Sequence, residues 1–237
     1  CNICSIPITD WGYAYLASTN GSGKSVSLGD YYGMKESFVK NGTLATTKTK
    51  WTTRKEEDNP AMAYVHNLGS VSNSGKEGFM MLGYDDIYSI EYMYEKRMGY
   101  WKHDGKVTIF DAFEKLRDNY QAIMERCRAF DELIYDDAEK AGGKKYAEIC
   151  SASYRQVISA HKLFTDKEGN LLWFSKENNS NGCVNTVDLT YPSAPLFLVY
   201  NPELQKAMMT SIFEYSASGR WNKPFPAHDL GTYPIAN

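Results

Sequence analysis

The segment FSKENNSNGCVNTVDLTYPSAP, residues 174–195, sets two carboxylates eleven residues apart: Glu177 opens an Asn-rich turn containing Gly182, and Asp188 precedes Pro192 and Pro195. Farther along, Arg220, His228 and Asp229 also fall in turn-rich sequence at helix ends. A rigid helical scaffold commonly carries its chemistry in such loops. Two carboxyl groups can divide the work of hydrolysis. Held about 5–5.5 Å apart, one attacks while the other donates a proton; at about 6.5–9.5 Å the gap admits a water instead. An ionised Glu177 needs hydrogen-bond donors or a cation beside it, and Asn178, Asn179 and Arg220 are the candidates. No Ser or Cys nucleophile with an assigned His partner emerges, so an acyl-enzyme route has no support in the sequence.

Other motifs read more plainly. Cys1 and Cys4 form a C-x-x-C, but no second Cys or His pair follows at ligand spacing. The five cysteines, an odd number, do not suggest a disulfide framework, and neither a metal nor a cofactor is expected. The stretch NGSGKS, 20–25, lacks the first glycine of a phosphate loop, since Ser18 stands there, and reads as a hairpin turn. Sequons at Asn20, Asn41 and Asn178 mark exposed loops at most. In GYDDIYSIEY, 83–92, strand alternation would put Asp86 and Tyr88 on one face and Asp85 and Ile87 on the other, polar residues at a strand end with a ligand contact as the alternative. His161 sits on the apolar stripe of a helical pattern, where a hydrogen-bonded core histidine is expected.

These residues need elements to hold them. The 237 residues, 43% hydrophobic and 14% aromatic, suffice for one large or two modest domains. A net charge of −3 with dispersed Lys and Arg gives no basic field for nucleic acid. No apolar run approaches the roughly 20 residues of a membrane helix, and the N-terminal residues do not read as a signal peptide. Before residue 105, Tyr-, Thr- and Val-containing runs between Gly, Asn and Ser clusters predict a β-rich domain, 1–105. Beyond it, 106–237 reads as helical. Apolar residues recur from Phe110 to Cys127 and from Tyr146 to His161, with the shorter FDELIYDDAEKAGG between them. A fourth helix is expected from Pro202, with Asn201 as its cap and Leu204, Met208, Ile212 and Phe213 on one face.

The blocks FMMLGYDDIYSIEY, FDELIYDDAEKAGGKKYAEICSASYRQVISAHKL, FSKENNSNGCVNTVDLTYPSAPLFLVYNPEL and SGRWNKPFPAHDLGTYPIAN together resemble the glutaminase A family, secreted proteins that hydrolyse L-glutamine to glutamate and ammonia. The resemblance covers nearly the whole chain. It implies an α+β chain: the C-terminal part of a β-sandwich-like domain followed by the first helices of a six-hairpin (α/α) toroid. A toroid needs about twelve helices and roughly 300 residues. This chain is therefore expected to be a central fragment, inactive in isolation, with the remaining parts of the parent chain as its partners and a secreted, periplasmic or cell-surface location.

A more distant resemblance is to six-hairpin glycosidases of the non-lysosomal glucosylceramidase type. There a glutamate nine residues before a Thr-x-Asp is the nucleophile and the Asp binds sugar, which matches Glu177, Thr186 and Asp188. Their Pro-His-Asp run, whose histidine contacts sugar, corresponds to His228 and Asp229, with Ala227 replacing the proline. The resemblances thus imply Glu177 as the catalytic carboxylate and Asp188, His228 and Asp229 as binding groups for a small-molecule substrate, to which the turn-rich sequence adds Arg220 as a candidate substrate-binding cation. With glutamine as substrate, Glu177 would act as a base on water or clamp the α-amino group, and Gly182 backbone N–H groups or His228 would stabilise the oxyanion. With a glycoside, Trp173, Tyr191 and Trp221 would stack on sugar rings. A binding or structural role without turnover is the remaining alternative.

Overall fold

The computed structural model describes residues 2–7, 12–19, 21–44, 59–177 and 181–237. They form two compact units, one comprising Cys1–Ile87 and Thr108–Asp118, the other Tyr88–Val107 and Asn119–Asn237. The chain crosses between them three times, and residue 105 lies just before the second crossing.

In the first unit, strands β1 (Asn2–Pro7), β2 (Tyr13–Ser18) and β5 (Met80–Asp85) make an antiparallel sheet in the order β1-β2-β5. Strands β3 (Lys24–Asp30) and β4 (Pro60–His66) pair separately. The strands either side of NGSGKS therefore enter different sheets, and that turn is not a hairpin; Asn20 lies outside the described residues. Leu16 and Leu28 meet in a core with Val26, Met62 and Tyr64 around them. The β-rich reading omitted helix α1 (Tyr31–Asn41), although both its ends are written in the sequence. Asp30 accepts from the Gly33 N–H at 2.9 Å, and Gly42 takes the left-handed conformation that stops the helix.

Helix α2 (Ile109–Asp118) completes this unit. Thr108 and Asp111 cap it reciprocally: the Asp111 carboxylate accepts from the Thr108 N–H at 2.8 Å, and Thr108 Oγ1 accepts from the Asp111 N–H at 3.2 Å. At Gly83 a Cβ would fall 2.7 Å from the Phe113 ring, so the close approach of α2 to β5 depends on that glycine. Strand β5 ends at Asp85, whose Oδ1 accepts from the Ile87 N–H at 2.9 Å, and Ile87 has φ 56. The alternation expected through Asp86 and Tyr88 is thus interrupted by a turn.

The second unit holds β6 (Ile90–Tyr92), β7 (Glu95–Arg97), helices α3 (Tyr120–Gly142) and α4 (Lys144–Ser159), strands β8 (His161–Thr165) and β9 (Leu171–Ser175), helices α5 (Val187–Tyr200) and α6 (Pro202–Ala217), and β10 (Ile235–Ala236). The periodic run from Phe110 to Cys127 is broken at Asn119, and FDELIYDDAEKAGG continues α3 instead of standing apart. Two helical hairpins result, α3/α4 turning at Gly143 and α5/α6 turning at Asn201. Asn201 caps α6 as expected, accepting from the Leu204 N–H at 3.4 Å.

Strand β9 explains why LLWF shows no alternation: it is buried on both faces. Leu172 and Phe174 join Ile90, Tyr92, Phe164, Val184, Leu230 and Ala236 on one side, while Trp173 packs with Phe197, Ala207 and Met208 of the α5/α6 hairpin on the other. His161 lies in β8 and not on a helix. Its Nδ1 is 2.5 Å from the Val157 carbonyl oxygen, its ring stacks on Trp173 at 4.9 Å, and burial pushes its pKa down. Helix α5 is not among the helices expected from the sequence, and Pro192 and Pro195 both lie inside it. Buried packing at Thr190, Ser193 and Phe197 holds it, and the Thr190 and Ser193 hydroxyls bond back to the carbonyls of Thr186 and Leu189.

Candidate active site

Strand β9 runs out through Lys176 to Glu177, and the chain returns through 181–186 into α5. This return segment is laced to the C-terminal loop by backbone bonds. Val184 N–H donates to the Gly231 carbonyl, Leu230 N–H to Val184, Tyr233 N–H to Gly182 and Val187 N–H to His228, all at 2.8–3.0 Å. Gly231 has φ 124, and a Cβ there would meet the Ile235 carbonyl oxygen at 2.7 Å, so only glycine fits the reversal. Asn185 anchors the ladder from below. It is fully buried in the left-handed region (φ 51), with its amide donating to the Met208 carbonyl at 3.1 Å and to Ser211 Oγ at 2.7 Å. The backbone path of the site is therefore fixed by α6.

On this frame the side chains converge. Thr186 occupies the N-cap of α5, yet its hydroxyl makes no cap bond; it donates to Glu177 Oε1 at 3.3 Å. The Glu177 N–H donates to the Cys183 carbonyl at 3.0 Å. Asp188 lies in the first turn of α5, where the helix dipole favours a negative charge. His228 Nε2 is 3.6 Å from Asp188 Oδ1, and Nδ1 is 2.8 Å from Asp229 Oδ2. Asp229 Oδ1 in turn accepts from the Gly231 N–H at 2.8 Å. The structure thus brings Glu177, Asp188, His228 and Asp229 together, with His228 and Asp188 facing solvent at 60% and 71% exposure.

Electrostatics follow from the crowding of acids. The Asp229 bond raises the His228 pKa, with the Asp188, Asp229 and Glu177 charges adding to it and solvent loss opposing it only in part. Partial burial pushes the Asp229 carboxyl up, but bonds from His228, the Gly231 N–H and Cys183 outweigh it and hold the carboxyl below its usual value. Cys183, which sequence reasoning did not place here, donates to Asp229, and desolvation and the neighbouring carboxylates raise its thiol pKa. Both ring nitrogens of His228 face carboxylates. A thiol whose pKa is raised, beside an imidazole whose nitrogens both face carboxylates, is a poor nucleophile. The arrangement can instead activate water at Glu177 and present a ring N–H to a developing oxyanion.

Arg220 lies elsewhere. It stacks over Tyr94 at 5.1 Å and lines a cleft of about 630 Å³ with Tyr92, Arg97, Asp166, Glu168 and Glu214. Lys176, next to Glu177, lies over the Tyr233 ring at 3.7 Å. Asn178 and Asn179 fall outside the described residues. Of the aromatics, Trp173 is buried, Tyr191 is exposed, and the Trp221 indole N–H bonds the Phe225 carbonyl. Thr186, named by its spacing in the motif, is a direct partner of Glu177; the contributor that escaped sequence reasoning is Cys183, which looked like an ordinary turn cysteine.

Two family segments follow one another along the chain. The chain belongs to the family defined by a domain of unknown function, DUF5127, which matches residues 7–137, more than half of its length. Residues 143–237 match the glutaminase A six helical-hairpin domain, so the resemblance to the glutaminase A family holds. Glutaminase A of Aspergillus oryzae is 32% identical over 233 residues, covering 96% of this chain and 33% of the relative. A probable glutaminase of Arthroderma benhamiae is 34% identical over 97 residues, 41% of this chain and 11% of the relative. The chain therefore spans about a third or less of the length of the curated relatives it matches. No solved structure matches it. Among the described residues no helix is long and apolar enough to cross a membrane.

Proposed function

We propose that this chain carries the water-activating site of a secreted glutaminase A-type hydrolase that converts L-glutamine to L-glutamate and ammonia, as the central part of a longer protein whose further helices complete the toroid. The observation that carries this reading is the contact of Glu177 with Thr186 on the same wall as Asp188, His228 and Asp229; the names of the relatives support the substrate. Glu177 takes a proton from water as its oxygen bonds to the side-chain amide carbon. A His228 N–H donates to the oxyanion while Asp229 fixes the ring. The C–N bond then breaks, and the proton held by Glu177 leaves with ammonia.

The test is ammonia release from L-glutamine by the protein and by Glu177→Gln. Release that the substitution abolishes supports the amidohydrolase; release that survives it removes Glu177 from the site. A second reading, a glycoside hydrolase with Glu177 as nucleophile, is favoured by one specific feature, the Thr186 hydroxyl on Glu177 with Asp188 two residues beyond. It predicts no ammonia and cleavage of aryl glycosides that Glu177→Gln stops.

A further inference from the structure

Cys183, His228 and Asp229 offer a thiol, an imidazole and a carboxylate whose ligand atoms all lie within 4.8 Å of one another. We propose that these three side chains form a binding site for a borderline-soft divalent cation such as Zn²⁺. The inference goes beyond the hydrolase reading and does not depend on it.

Three observations carry it. The first is preorganisation: Cys183 and His228 sit on the two strands of the ladder described above, and the isolated bridge between Cys183 and Thr232 joins those segments directly. Bringing the side chains together therefore requires no backbone ordering. Tetrahedral zinc with Zn–S near 2.3 Å and Zn–N or Zn–O near 2.0–2.2 Å needs donors about 3.3–3.8 Å apart. The present separations reach that by side-chain rotation, for which there is room, since His228 is exposed and Cys183 and Asp229 are partly so.

The second is the donor set. Sulfur, nitrogen and a single carboxylate suit zinc or cobalt, whereas calcium and magnesium prefer several oxygens. The third is the outer partner. Asp229 Oδ2 and His228 Nδ1 now share a proton at 2.8 Å. A cation held by both replaces that proton, and the imidazole shifts its N–H to Nε2, where Asp188 Oδ1 waits at 3.6 Å. A ligating histidine ordinarily donates its second N–H to such a carboxylate. The balance is simple: the Sγ–metal bond forms as the thiol proton leaves to water, the imidazole stays neutral by changing tautomer, and thiolate plus carboxylate neutralise the divalent charge.

Co²⁺ reports this site without any activity measurement, because a thiolate ligand gives a near-ultraviolet charge-transfer band. The protein, reduced and stripped with EDTA, is titrated with CoCl₂. The expected result is one ion per chain, with the band retained when Cys1 and Cys4 are both replaced by Ser and lost in Cys183→Ser. His228→Asn, at an exposed position, should weaken Co²⁺ binding at least tenfold, and Asp188→Asn should weaken it by about 10–100-fold while keeping the band. The proposal is overturned if no band forms in the reduced protein, or if the band survives Cys183→Ser and vanishes without Cys1 and Cys4. Should Cys183→Ser fail to fold by circular dichroism, unchanged affinity in His228→Asn overturns it equally. Loss of hydrolysis in Glu177→Gln leaves this readout untouched.

Discussion

The β8–β9 hairpin has two ends, and charged side chains gather at both. At its open end Glu177 meets Thr186, Asp188, His228 and Asp229. At its turn Asp166 accepts from the Asn170 backbone and side chain, and both border the cleft of Arg220, Tyr92 and Glu214. Tyr92 donates to Glu214 at 2.7 Å, and burial followed by the Glu214 contact raises the phenol pKa well above its usual value. Five residues of β9 span about 16 Å, so the two ends cannot act on one small substrate. The difference lies in how they are built. The open end is drawn together by a backbone ladder and a fully buried Asn185, and its acids face one another around a histidine. The turn end pairs its acids with tyrosine, asparagine or arginine, an arrangement that satisfies polar groups and holds elements together.

Several substitutions break or sharpen that contrast. The largest effect is expected at the open end: Glu177→Gln should lower turnover by about 10²–10⁴-fold, the range for losing a general base. Glu214→Gln, at the other end, should change turnover less than about threefold, the scale of a substitution remote from the chemistry. Equal losses in steady-state assays would erase the distinction between the two ends. Next, Asn185→Ala removes two buried hydrogen bonds and should cost about 2 kcal/mol in urea unfolding. A shift within error would mean that α6 does not hold the site loop. Thr186→Val keeps the shape but deletes the hydroxyl on Glu177, so kcat should fall about tenfold, with Thr186→Ser restoring it. Failure of serine to restore kcat would argue that the valine acts through packing alone.

The smallest effect concerns pH. His161 lies at the foot of the open end, and burial lowers its pKa below the ordinary value of about 6.5 that the unfolded chain presents. Below that pH the unfolded state binds the proton that the folded state refuses, so stability should fall as the solution is acidified. Unfolding midpoints measured from neutral pH downward should show a shallower decline in His161→Gln than in the parent. An identical slope would show that His161 is protonated without cost.

Much of this organisation was legible in the chain. The cap of α6 at Asn201 could be read because an Asn-Pro pair before a periodic apolar run is a local signal. Helix α1 carries equally local signals in Asp30 and Gly42, set among strand-like neighbours. Helix α5 was not legible, since two prolines argue locally against a helix and only burial at Phe197, Ser193 and Thr190 outweighs them. His161 illustrates the same limit. Its helical spacing continued a true helix, but the chain leaves α4 two residues earlier, and a ring stacked on Trp173 is as apolar a setting as a helix stripe.

What the sequence determined by itself is the chemistry available: a glutamate nine residues before a Thr-x-Asp, a His-Asp pair near the C-terminal end, and family likeness along nearly the whole chain. Which of those groups meet was decided by tertiary structure. Residues 177–188 and 228–231 are some forty residues apart, and their meeting depends on α5 and α6 forming a hairpin that returns the chain to the same edge. The same packing carried Arg220 to the far end of the hairpin and brought Cys183 beside Asp229. Spacing along a chain specifies local geometry only; proximity between distant segments comes from the burial of apolar surface, here around Trp173 and Phe197, which favours one arrangement of the elements over the others.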